Sequence, residues 1–164
     1  MLKRLLPLST IVCIAGTAPP RTPDASYIIG DIQAHLFYQE TGAFDIANVT
    51  SDASPTLWNT IIGEDSAKGP SGATLVLVKL NGSWLAGTHP PRLRVTVRVD
   101  SGGPVLLQQT VPLNALFTEQ PSIWVPFIAF GTGCGVTLVS AALVDTRGTP
   151  LGALSKTIPF RCGE

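Results

Sequence analysis

The stretch RLRVTVRVDSGGPVLLQQTV, Arg92 to Val111, decides the fold class. Leu93, Val95, Val97 and Val99 alternate with Arg92, Arg94, Thr96 and Arg98, a period of two that gives a strand one buried and one wet face. Ser101, Gly102 and Gly103 then supply a turn, and PVLLQQTV follows as a second strand. The pair reads as an antiparallel hairpin.

Outward from this hairpin the same grammar recurs. ATLVLVKL, Ala73 to Leu80, is almost continuously apolar and bounded by PSG and NGS. It reads as a central strand covered on both sides or at one end. In SYIIGDIQAHLFYQ, Ser26 to Gln39, Ile32, Ala34, Leu36 and Tyr38 share one face, with Gln33, His35 and Phe37 on the other. SIWVPFIAF, GVTLVSAALVD and LSKTIPFRC complete the set, and Pro126 and Pro159 mark edges or bulges because proline has no amide donor for a ladder. NALFTEQ, Asn114 to Gln120, has room for one helical turn, and nothing is long enough for βαβ crossovers. The fold expected is all-β: a single antiparallel β-sandwich of seven to eight strands over residues 26–164, immunoglobulin-like or C2-like.

The N-terminus MLKRLLPLSTIVCIAGTAPP has two basic residues, an apolar run and then small residues, the layout of a secretory signal peptide over residues 1–18. Cleavage after Ala15 and after Ala18 both remain open. A Pro-rich spacer, 19–25, follows. Cys13 offers a lipid anchor as an alternative, against which stands the bulky Val12 where a small residue is expected. No later run reaches 18 apolar residues, so no transmembrane segment is expected in the mature chain. With Cys13 removed, Cys134 and Cys162 form an even pair, and in an oxidising periplasmic or extracellular setting the simplest state is a disulfide. Cys134 is expected to open a strand and Cys162 to end the last one.

Charge bounds the partners. Lys and Arg number 11, matching 11 Asp and Glu, which leaves no footprint for nucleic acid or an anionic membrane. The glycines of GTGCG, Gly131 to Gly135, precede a strand and not a helix, so a structural turn is favoured over a phosphate loop. His35 and His89 lack partners at ligand spacing, no G-x-S-x-G elbow occurs, and the acidic residues form no D-x-D run. No metal, cofactor or catalytic residue is assigned.

The segment SPTLWNTIIGEDSAKGPSG, Ser54 to Gly72, is the candidate binding site, with Trp58, Asn59, Glu64 and Asp65 as its polar and aromatic groups. Two readings compete. In one, Leu57, Trp58, Ile61 and Ile62 plug an end of the sandwich while Asn59 and Thr60 satisfy turn amides. In the other, Trp58 is exposed beside Glu64 and Asp65 and the stretch binds a partner. Trp84, in NGSWLAG, is a further surface candidate, and the face of Trp124 is undecided. The function expected is a noncatalytic exported module that binds a protein or cell-envelope component through a sheet edge or loop cluster. A carbohydrate-binding or calcium-dependent surface module is the alternative, and a hydrolase a third.

Overall fold

The structure is a computed structural model that describes residues 27–51, 57–64, 67–82, 90–100, 102–113 and 121–163. The signal peptide, the spacer, Cys13, Asp65, Trp84, His89 and the turn proposed at 114–120 lie outside the described residues.

Eight strands are present among the described residues: β1 (Tyr27–Tyr38), β2 (Ala43–Phe44), β3 (Ala73–Gly82), β4 (Arg92–Val99), β5 (Val105–Pro112), β6 (Ser122–Phe130), β7 (Thr137–Val144) and β8 (Pro150–Ile158). They form two antiparallel four-stranded sheets, ordered β2-β1-β3-β6 and β5-β4-β7-β8. The protein is a β-sandwich, as the alternation in Arg92–Val99 implies. Leu93, Val95 and Val97 are fully buried and meet Ile32, Ala34, Leu36, Val76 and Val78 from the facing sheet. Each such aliphatic side chain contributes roughly 1.5 to 3 kcal/mol of burial free energy.

β3 is central, between β1 and β6, yet its outward residues Leu75, Leu77 and Lys79 are only half-buried. The apolar run arises because both faces carry aliphatics, and cover on both sides is not what produces it. Pro126 lies in β6, an edge strand, where a missing amide donor leaves no gap in the sheet. The other edge of that sheet is covered by the chain itself beyond the two-residue β2. Val49 donates its amide to Ala34, Asn48 Oδ1 accepts from the Ala34 amide, and the Thr50 hydroxyl donates to Ile32. This segment satisfies groups that would otherwise invite a foreign strand. Lys156 on β8 pairs with Asp31 on β1 at 2.8 Å and ties the two sheets together on that side.

The cysteines form the expected disulfide, with Cα atoms 5.0 Å apart, but their positions differ from expectation. β7 begins at Thr137, so Cys134 sits in the β6–β7 loop; β8 ends at Ile158, so Cys162 lies in the tail beyond it. Pro159 is the reason for the second difference: the ladder stops before a residue with no amide to give. The chain then turns away, and Arg161 makes an isolated parallel bridge with Trp58.

Candidate functional site

The corner from Leu57 to Glu64 is built by one inward and one outward step repeated. Leu57 is 2% exposed and enters the core, so the next residue of an extended chain, Trp58, faces out and is 40% exposed. Asn59 adopts the left-handed region, φ 45° and ψ 42°, which asparagine tolerates better than most residues. A single 3₁₀ turn, Thr60–Ile62, follows and stops at Gly63, whose φ of 81° suits glycine. Within that turn Thr60 is fully buried, while Ile61 and Ile62 are exposed, Ile62 at 64%. The plug reading is therefore corrected. Leu57 alone of the four apolar residues closes the sandwich; a three-residue turn cannot direct Trp58, Ile61 and Ile62 to the same interior side as Leu57.

Three chain segments, the tail at 161–163, the β6–β7 loop and the stretch at Ser71, clasp this corner. Arg161 donates its amide to Leu57, and Asn59 donates its amide to Arg161. The Asn59 side chain works in both directions: Oδ1 accepts from the Gly163 amide at 2.9 Å and Nδ2 donates to Glu64 Oε2 at 2.7 Å. The Thr60 hydroxyl donates to the Gly133 carbonyl, and the Ser71 amide donates to the Thr60 carbonyl. Cys134–Cys162 then locks the β6–β7 loop to the tail. Gly163 lies against the Trp58 ring, where a β-carbon would stand 2.6 Å from Cζ2. The structure brings Trp58, Asn59 and Glu64 together; Asp65 and Trp84 are outside the described residues.

The outcome is a fixed backbone that displays apolar side chains to solvent. Trp58, Ile61 and Ile62 lose little further backbone freedom on contact with a partner, and an aromatic anchor of this kind is enriched among residues that dominate binding energy. Glu64 is fixed beside them by Asn59.

A second apolar surface was not assigned from sequence. On β6 Val125, Phe127 and Ala129 are buried, so Trp124, Pro126, Ile128 and Phe130 point outward, and all four are exposed. Their neighbours across the ladder are Lys79, Leu77, Leu75 and Ala73. This settles the face of Trp124, whose ring lies 5.7 Å from the Lys79 ammonium, a cation–π contact. SIWVPFIAF hides the row because an apolar residue stands at nearly every position, so no period separates the two faces.

Titratable side chains gather at the β1–β2 turn. The buried Tyr38 hydroxyl donates to Asp45 Oδ2 and accepts from the Lys68 amide, and Lys68 Nζ approaches Asp45 Oδ1 at 3.3 Å. Burial opposes ionisation of Asp45, but hydrogen bonds from Tyr38, the Ala47 amide and Lys68 outweigh it and hold the carboxyl below its ordinary value. Burial, and then the bond to Asp45, raises Tyr38. His35 Nδ1 faces the Asp45 carbonyl at 3.1 Å, so that nitrogen carries the proton in this contact. A cavity of ≈ 400 Å³ adjoins the cluster, lined by Tyr38, Glu40, Phe44, Lys68 and Pro70 among others. Among the described residues no group of three His, Cys, Asp or Glu is placed to hold a metal ion, and no helix is long and apolar enough to cross a membrane.

No protein-family model matches the sequence, and no curated protein matches it. A solved structure with a similar backbone is Bifidobacterium dentium beta-glucuronidase complexed with coumarin-3-O-glucuronide, at a TM-score of 0.43 and 10% identity. The match covers 83% of this chain and 18% of that one, so this chain spans less than a fifth of the enzyme's length. At that score and identity the likeness bears on neither activity nor ligand.

Proposed function

We propose that this chain is an exported, noncatalytic β-sandwich that binds another protein or a protein component of the cell envelope through the corner around Trp58. The observation that carries the reading is the contrast between backbone and side chains there. Trp58, Ile61 and Ile62 are exposed, while their backbone is held by the Arg161 bridge, Asn59 and the disulfide-linked loop. The partner this surface suits offers an apolar socket for the indole, with donors at its rim for Glu64. Export is supported by the leader-like N-terminus and by the disulfide, which persists in oxidising compartments.

The test uses the tagged mature chain with a photo-crosslinking residue at position 62, and for comparison at 153 on the distant β8. The reading expects one protein crosslinked from 62 and not from 153, with that product lost in Trp58→Ala while the melting temperature stays close to wild type. Equal crosslinking from both positions sinks it. So does substrate turnover in a broad hydrolase screen that a single polar substitution abolishes.

A further inference from the structure

The outer face of the β5-β4-β7-β8 sheet carries charge of one sign. Burial of Leu93, Val95 and Val97 turns Arg92, Arg94, Thr96 and Arg98 outward. The register then identifies their neighbours. Arg94 lies between Thr110 and Ala142, Thr96 between Gln108 and Ser140, and Ser140 shares a hydroxyl hydrogen bond with Ser155 on β8. Among the described residues no carboxylate is a ladder neighbour of an arginine on this face; Asp100 and Asp145 belong to the turns at its two ends. Asp145 spends Oδ1 on the amides of Arg147 and Thr149. The ion pairs Lys68–Asp45 and Lys156–Asp31 involve none of these arginines.

The guanidinium groups are also positioned. Arg98 Nη2 donates to the Gly103 carbonyl, and Arg94 Nη2 reaches the β7–β8 turn, 3.9 Å from where a Gly148 β-carbon would lie. Outward positions on a strand recur about every 7 Å. Three cations thus follow one strand; Gln108, Thr96, Ser140 and Ser155 form a row of amide and hydroxyl side chains between Arg94 and Arg98, while Arg92 lies between Pro112 and Val144 and Arg98 between Val105 and Leu138. Guanidinium matches a carboxylate with two parallel hydrogen bonds, and Ser, Thr and Gln match sugar hydroxyls.

We propose that this face binds a linear anionic polysaccharide bearing carboxylates, laid along β4. Duplex or single-stranded nucleic acid fits less well. The face has no aromatic ring for base stacking among the described residues, and its three arginines are fewer than the roughly 6–10 phosphate contacts of a duplex binder. The surface is on the second sheet and does not include the Trp58 corner, so either proposal can fail alone.

Sodium alginate is the probe, with neutral dextran and duplex DNA beside it, measured by affinity electrophoresis of the full mature chain at low ionic strength. Retardation by alginate, none by dextran, weaker retardation by DNA and loss of the effect at high salt are expected. Arg94→Gln is expected to weaken alginate binding about tenfold, the effect of losing one charge-assisted hydrogen bond. Thr110→Glu, an exposed change opposite Arg94, is expected to weaken it similarly with every arginine kept, which guards against misfolding of the first variant. The proposal is overturned by no retardation on alginate, by equal retardation on dextran, by tighter binding of DNA, or by folded Thr110→Glu binding alginate like wild type.

Discussion

Gly133 and Thr60 are in such close contact that a β-carbon on the glycine would stand 2.6 Å from the threonine hydroxyl oxygen and 2.9 Å from the Ser71 carbonyl. Gly133 also has φ of +107°, a region closed to most side chains. Gly133→Ala is therefore expected to cost about 1 to 3 kcal/mol through backbone strain alone, with the steric overlap adding to it. Urea denaturation should show the loss. Gly102→Ala, at a glycine with open space around it, provides the control and is expected to change stability little.

Replacing both Cys134 and Cys162 with Ser releases the tail from the β6–β7 loop. The chain-entropy model places the loss at about 3 to 4 kcal/mol for a loop of this length. Amide exchange should locate the added opening at Asn59, Arg161 and Gly163, whose hydrogen bonds hold the corner, before it reaches β4 and β7. Uniform loss of protection across both sheets would contradict a local clasp.

Asp45 and Tyr38 make stability depend on pH at both ends. The carboxyl is lowered in the fold, so its contribution is present above the unfolded value of about 3.9 and disappears as pH falls through the lower folded value. The phenol is raised, so its contribution is present below about 10 and disappears as pH rises through the higher folded value. Asp45→Ala leaves the Tyr38 hydroxyl without its acceptor and should cost about 1 to 3 kcal/mol at neutral pH, with a flatter acid limb in chemical denaturation.

Pro126 interrupts the exposed edge of β6 at the middle of its apolar outer row. Pro126→Val restores an amide donor and completes a flat, hydrophobic edge strand, the arrangement that templates edge-to-edge pairing. Light scattering at raised protein concentration is expected to show association of this variant while wild type stays monodisperse. Pro126→Lys also restores the amide but adds a charge, and should remain dispersed.

How much of this was legible in the chain differs by element. Arg92–Val99 was read to the correct face because aliphatic and polar residues alternate strictly along it, and in Ile32–Tyr38 the same period of two separates the buried residues although Phe37 stands on the outer face. One proline limited β6 to an edge or a bulge, and the edge is what the sheet order shows, but its exposed row is not legible, since Trp124 and Ile128 are as apolar as the buried Val125 and Phe127. At the corner the residue types were right and the packing was not. Trp58, Ile61 and Ile62 look like core residues, yet Trp58 follows the inward Leu57 on extended chain and so faces out, and the left-handed Asn59 with the tight turn after it leaves Ile61 and Ile62 exposed.

Local chemistry by itself determined the strand pattern, the hairpin at Asp100–Gly103 and the pairing of two cysteines, because each depends on neighbouring side chains or on simple counting. Which surfaces remain open was decided only in three dimensions. A formal charge of +0 suggested no electrostatic face, and the arginine alternation on β4 said only that one side is wet. Cross-strand register then set neutral Pro112, Thr110, Val105, Val144, Ala142 and Leu138 beside the arginines and sent Asp31, Glu40, Asp45 and Glu64 elsewhere. Long-range pairing carries that information, and no single segment of the chain contains both partners of a pair.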